Sequence, residues 1–265
     1  MTGHPFRDTL HVSASQVNAY LICPERFRLQ YAECRRPSHR SGDLVFGSAV
    51  HGALAEYHRR LQKKPEVPVP IGDLLQDFER QIQEGERGSV PIMWEDDDGP
   101  DKLRAIGRGL LEMYHQTVRH NRILAVEQEF RLPRRDPATG RELDECLVGV
   151  VDLMEQETDG TVWITELKTA AKRFDDTRLS YDHQATIYGL ARAVLGYPEA
   201  RVRFRVLLKT KKPAIEIYEL RRDAQQFAET KRVMHQVLRA VDAGIFYPQR
   251  GWQCANCAYR AACGT

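Results

Sequence analysis

A chain of 265 residues, 42% hydrophobic and 29% charged, has the ordinary composition of a soluble protein and suits one large domain or two small ones. Its net charge of +2 excludes a uniformly basic chain, so any nucleic-acid binding must rest on locally clustered basic residues. No apolar run has signal-peptide or membrane-spanning length, which makes the cytoplasm the expected compartment; in that reducing setting the six cysteines read as thiols or metal ligands rather than disulfides.

In chain order, Ser13-Ala-Ser-Gln16 offers a cap and a Gln three residues on, opening a helix towards Ile22. Cys23-Pro24 interrupts it, and Pro24 can start a further turn carrying Phe27, Leu29 and Tyr31. Gly47 to Leu61 predicts a helix with His51 on the edge of an apolar face, opened by residues small enough for another backbone to come close. A Pro-rich linker over 63–70 follows. Two helices, about 72–86 and 102–120, flank an acidic loop at Glu95-Asp-Asp-Asp98, so that 62–120 is expected to be a helical insertion. Strand signals begin at Leu124–Leu132. Beyond the centre of the chain come a helix over Ser180–Leu195 and a strand Arg201–Leu208 with an arginine face. A turn at Lys209–Pro213, a strand Ala214–Leu220 and a helix Gln225–Ala240 complete the pattern. It predicts one α/β domain over 1–265, a mixed central sheet flanked by helices.

The chemistry concentrates in the middle. Leu147–Met154 and Thr161–Leu167 are β-branched and apolar, and Glu157-Thr-Asp-Gly160 between them suits a tight turn, so the stretch reads as a hairpin. Alternation puts Glu166 and Lys168 on one face of the second strand, and pairing brings Asp152 to them from the first. Two carboxylates and an ammonium among apolar neighbours must be paired or bind a metal. A structural salt bridge would satisfy them. So would a Mg²⁺ or Mn²⁺ phosphodiesterase, in which two carboxylates suffice when substrate phosphate completes the shell. Lys168 would then orient the attacking water and add positive charge in the transition state.

At these residues the chain resembles the PD-(D/E)XK nuclease superfamily, in particular its RecB-like exonuclease branch, which includes exonucleases of helicase–nuclease repair complexes and of CRISPR adaptation. Gly47-Ser-Ala-Val-His51 looks like the helical histidine motif. Gly149-Val-Val-Asp152 with Glu166-Leu-Lys168 looks like the metal-binding core, although Val151 stands where the superfamily often has Pro. Gln184-Ala-Thr-Ile-Tyr188 looks like the Gln-xxx-Tyr motif. The resemblance implies a restriction-endonuclease-like core in which His51, Asp152, Glu166 and the Leu167 carbonyl hold the metal. Lys168, Gln184 and Tyr188 complete the catalytic set. Glu129 or Glu127 could serve a second metal.

Cys254-x₂-Cys257-x₅-Cys263 gathers three soft ligands, and a fourth could come from Cys23, Cys34 or Cys146. Four thiolates suit zinc or an iron–sulfur cluster equally on ligand type. The resemblance, which places one cysteine early and three at the C-terminus, implies Cys23 and a [4Fe–4S] cluster that staples 23 to 254–263. DNA contacts are expected at Lys172, Arg173, Arg203, Arg205, Lys209, Lys211 and Lys212, reading phosphates rather than bases. The expectation is a metal-dependent exonuclease acting on single-stranded DNA ends in repair, recombination or CRISPR adaptation, with a helicase or CRISPR-adaptation proteins as partners. The alternatives are a DNA-binding subunit with little activity and a structure-selective endonuclease.

Overall fold

A computed structural model describes residues 11–94, 99–120, 122–136, 139–210 and 212–263. Strand β1 (His11–Ser13) leads directly into α1 (Ala14–Ile22), because Ser13 and Gln16 form a reciprocal capping box at the junction. Pro24 then opens the short α2 (Pro24–Phe27), which widens into one π-helical turn over Arg28–Ala32. Next come β2 (Arg40–Ser41) and the 22-residue α3 (Gly42–Lys63), which starts five residues earlier than the apolar periodicity suggests because the Ser41 side chain accepts the Leu44 N–H. The helices α4 (Ile71–Glu86) and α5 (Pro100–Thr117) flank β3 (Ile92–Met93), which pairs with β2 apart from the main sheet. The acidic loop expected at 95–98 lies outside the described residues.

The main sheet is built from β1, β4 (Arg122–Arg135), β5 (Glu142–Gln156), β6 (Val162–Ala170), β7 (Arg201–Leu208) and β8 (Ala214–Leu220). β5 and β6 form the expected hairpin, turning through Gly160 at φ +86. β6 and β7 run parallel, joined by α6 (Asp176–Tyr181) and α7 (His183–Ala191), and α8 (Ala224–Asp242) follows β8. The single helix expected over 180–195 is two. Asp182 breaks it by taking a β conformation and capping α7 through the Ala185 N–H.

The sheet lies between two helical layers. On one side Val17, Ile187, Tyr188 and Met234 from α1, α7 and α8 close over Ile164 and Phe204. On the other, α3, α4 and α5 share a core of Phe46, Leu54, Phe78 and Leu110 that rests on Leu167 of β6 and Leu207 of β7. The helices expected as an insertion therefore form, with α3, one layer against the sheet. This is the mixed α/β architecture the sequence pattern predicts.

Candidate active site

The site forms where the sheet forks. β4 occupies one edge of β5 along almost its whole length. The other edge is shared: β1 takes Cys146–Val148, and β6 takes only Leu153–Gln156. Gly149–Asp152 lies in the gap between them. Asp152 is the residue just past the last rung on β5, and Glu166 the residue just past it on β6. Their backbones are no longer paired to each other, so side chains must satisfy the freed groups. Asp152 Oδ2 accepts the Leu167 N–H at 2.8 Å, and the Tyr188 hydroxyl reaches the Val150 carbonyl at 2.7 Å.

Around this fork the predicted residues converge. Lys168 Nζ donates to Glu166 Oε1 and to Gln184 Oε1, both at 2.6 Å. Gln184 Nε2 donates to Glu166 Oε1 and to the Tyr188 oxygen, both at 2.8 Å, and Tyr188 Oη is 2.6 Å from Glu166 Oε2. One turn of α7 thus places Gln184 and Tyr188 against the same carboxylate. His51 arrives from α3, its Nδ1 3.6 Å from Asp152 Oδ2. The small residues before it matter here: a Cβ at Gly47 would lie 3.3 Å from Thr169 Oγ1 on β6. All seven residues assigned by motif to metal and catalysis therefore meet, with Leu167 seen through its N–H.

The electrostatics follow from crowding. Burial, and then the like charge of Asp152, push Glu166 up to about 7. Burial also acts against the Asp152 carboxylate, but His51, the Leu167 N–H and Lys168 outweigh it and lower its pKa. For His51 and Lys168 burial disfavours the cation, yet Asp152 beside His51 and Glu166 beside Lys168 raise both. Glu166, His51 and Lys168 thus hold their protons more tightly than isolated groups would, and Asp152 less tightly. Two carboxylates, an imidazole and a backbone carbonyl form a mostly oxygen donor set that suits a hard divalent ion, which would replace those protons. As it stands His51 is turned to Asp152, and Glu166 to Lys168, Gln184 and Tyr188. Among the described residues no group of three or more His, Cys, Asp or Glu is already arranged to hold a metal.

Two of the expected DNA contacts need correction. Arg203 and Arg205 do alternate along β7, but their face is the one roofed by α3–α5, and they are 7% and 2% exposed. Both bind Glu155: Arg203 Nη2 at 2.8 Å, Arg205 Nη2 at 3.1 Å. Arg205 also donates to the Tyr114 hydroxyl of α5 at 2.8 Å. They are buried structural cations. Lys209 pairs with Asp43, and the exposed Arg173 with Glu216. Lys172 and Lys212 are exposed, while Lys211 lies outside the described residues. Glu127, at φ +48, pairs with Arg59; Glu129 is exposed.

The sequence pattern misses Asp182, whose charge contributes to raising Lys168. An Asp two residues before Gln184 is a helix-start signal, and reading it as one would have found it. The Glu155 cluster had no sequence signal, since its members lie on three separate elements, β5, β7 and α5.

At the termini, Cys23, Cys254, Cys257 and Cys263 together line one cavity of about 280 Å³, with Arg26, Arg250 and Tyr259. Burial, then Glu25 and Cys23, push the Cys263 thiol up. The other two candidates are elsewhere: Cys34 is exposed, its Sγ near the Tyr31 carbonyl, and Cys146 sits in β5 beside His11. The donor set fits a thiolate-bound metal group, with the tail returning to the end of α1 through Gln253 and Ile22.

The profile of the PD-(D/E)XK nuclease superfamily matches residues 11–264. Among solved structures, a protein from Eubacterium rectale described as a candidate exonuclease is similar at 14% identity, with a TM-score of 0.52 over 97% of this chain and 92% of that one. At that identity the likeness speaks for the fold. The solved structure of SSO0001 aligns over 94% of this chain and 92% of its own at 12% identity, with a TM-score of only 0.39. No functionally curated protein matches the sequence.

Proposed function

The chain belongs to the PD-(D/E)XK nuclease superfamily, and from that premise we propose a divalent-metal-dependent deoxyribonuclease that hydrolyses single-stranded DNA from an end. The observation that carries this reading is the convergence of His51, Asp152, Glu166, Lys168, Gln184 and Tyr188 on one fork of the sheet. His51, Asp152, Glu166 and the Leu167 carbonyl would hold Mg²⁺ or Mn²⁺, which when bound supplies Lewis acidity towards the phosphodiester and lowers the pKa of water.

The protein's own groups do the rest. With its pKa raised, Lys168 is an ammonium at neutral pH. It is unfit to take a proton and suited to steady the negative charge that grows on phosphate oxygens. Gln184 fixes where that ammonium points, and Tyr188 locks Glu166 and the Val150 carbonyl in one geometry. α3 walls the fork on one side, and a walled site admits a threaded single strand more readily than a duplex. Lys172, which follows the active-site strand, and Lys212, in the turn after β7, are exposed and in this reading meet the phosphates.

Cys23, Cys254, Cys257 and Cys263 belong in this reading as ligands of a structural [4Fe–4S] cluster, with zinc as the alternative, since phosphodiester hydrolysis moves no electrons. Within the RecB-like branch the expected partners are a helicase or CRISPR-adaptation proteins, and the expected setting is repair, recombination or adaptation.

The test is digestion of one labelled DNA strand in linear and circular form, with Mg²⁺ and with chelator. Linear strands should be degraded with Mg²⁺ only, and circles much more slowly. Lys168→Ala and Asp152→Asn should each cut the rate by several orders of magnitude while the fold persists. Wild-type rates in either variant refute the site, and equal rates on circles make the enzyme an endonuclease.

A further inference from the structure

Tyr181 ends α6 with 71% of its surface exposed, and among the described residues no hydrogen bond engages its hydroxyl. A single exposed aromatic is ordinary on a protein surface. This one differs in how it is held and where it stands. The six-residue helix beneath it is braced at three points. Asp175 caps its start by accepting the Arg178 N–H at 2.8 Å. Leu179 packs against the core under α7. The half-buried Arg222 ties down its end, donating to the Leu179 carbonyl at 2.6 Å and to Thr186 Oγ1 of α7 at 2.9 Å. Because Leu179 faces the core, Tyr181 two residues on is turned away from it.

Its location is equally specific. Tyr181 immediately precedes Asp182, which caps α7 and lies close enough to Lys168 to act on its charge. Gln184, three residues on, holds Lys168 directly. The same connection between β6 and α7 carries cations: Lys172 is exposed, and Arg178 lies over the Phe174 ring at 3.5 Å, itself stacked on Tyr218. A braced, exposed aromatic ring three residues from the glutamine that holds Lys168, with basic residues on the same connection, offers what a single strand needs, a π-face for a base and positive charge for the backbone.

We infer that Tyr181 stacks on an unpaired base of the substrate strand and thereby sets the register of the scissile phosphate against Lys168. The inference rests on the nuclease reading and adds a specificity residue to it. A duplex keeps its base faces stacked on one another, so Tyr181 favours single strands and reads no sequence, every base having a π-face.

The experiment compares wild type, Tyr181→Ala and Tyr181→Phe on a short single strand and on the same strand carrying abasic residues near its end. Binding is measured by fluorescence anisotropy with Ca²⁺ in place of Mg²⁺, and cleavage with Mg²⁺. Melting temperatures should match, since the ring buries little. Tyr181→Ala should weaken binding to the intact strand roughly 5- to 150-fold, the range that one lost stacking contact gives. The rise should appear in KM more than in kcat. Tyr181→Phe should retain affinity, and on the abasic strand Tyr181→Ala and wild type should be alike. Equal binding of intact DNA by wild type and Tyr181→Ala overturns the inference, as does an equal loss on the abasic strand or a wild type that binds no single strand. A wild-type protein that binds in Ca²⁺ with this pattern but never cleaves in Mg²⁺ refutes the nuclease reading and leaves Tyr181 standing.

Discussion

At the scale of single residues, Glu166 controls the site through its proton. The Tyr188 hydroxyl sits 2.7 Å from the Val150 carbonyl and 2.6 Å from Glu166 Oε2, one proton between two acceptors. When Glu166 is protonated it can donate to Tyr188 and free the phenol proton for Val150. That state is accessible because Glu166 is pushed up to about 7. Metal binding must displace the proton, so cleavage at low Mg²⁺ should fall as pH drops through about 7, and raised Mg²⁺ should restore it. A pH–rate series at two metal concentrations checks this; profiles that superimpose contradict it. In metal-free protein the raised pKa also means that the native state holds a proton the unfolded chain has released. Stability from this group therefore declines as pH rises from about 4.5 to about 7, by about 3 kcal/mol at most. Glu166→Gln mimics the protonated acid. It should abolish cleavage yet raise the melting temperature of metal-free protein at pH 8.

At the scale of elements, two arrangements support the fork. Gly149 opens the stretch of β5 that neither β1 nor β6 pairs, and a Cβ there would press into the ring of Phe130, which stands edge-on to Tyr188 at 6.0 Å. Gly149→Ala should cost about 1–3 kcal/mol by overpacking and lower cleavage as well, because the displaced ring pushes on Tyr188. Urea denaturation and initial rates measure both; a variant with wild-type values in each would show that Phe130 has room to move. On the other face, Glu155 binds Arg203 and Arg205 beneath α5. Burial works against its carboxylate, but His120 and the two arginines hold its pKa far below the usual range. Truncating one partner leaves buried charge uncompensated, so Glu155→Ala should destabilise by about 3–5 kcal/mol. Wild-type protein should lose this contribution as pH falls below about 4.5, the side on which the unfolded chain takes up the proton first.

At the scale of the whole molecule, the end of α1 and residues 248–263 close on each other. The cavity lined by Cys23, Cys254, Cys257 and Cys263 joins the end of α1 to the C-terminal tail, more than 200 positions apart, and a metal group there would couple its own binding to folding of that tail. Anaerobically purified protein should carry iron, about four atoms per chain, in keeping with a [4Fe–4S] cluster. Cys23→Ala should lose the iron and make the tail sensitive to protease, while Cys34→Ala changes neither. Iron retained in Cys23→Ala would remove Cys23 from the ligand set, and a single zinc would keep the ligands and change the metal.

Local chemistry was enough to bring Asp152, Glu166 and Lys168 together, because strand alternation carries Glu166 and Lys168 to one side and the hairpin pairs them with the strand of Asp152, whereas His51, Gln184 and Tyr188 were assigned through the family resemblance. The central hairpin was legible for the same reason, its Asp-Gly turn being a property of two adjacent residues. The arginines of β7 were not: alternation tells that Arg203 and Arg205 share a face, but only the packing of α3–α5 decides that this face is roofed and that Glu155 meets them there. The fork was equally invisible. β5 ends its pairing with β6 at Leu153 because β1, from far up the chain, holds the upper part of the same edge, a competition between segments some 150 residues apart. Periodicity reports on neighbours along the chain, whereas burial and strand competition depend on what distant segments bring to the same place.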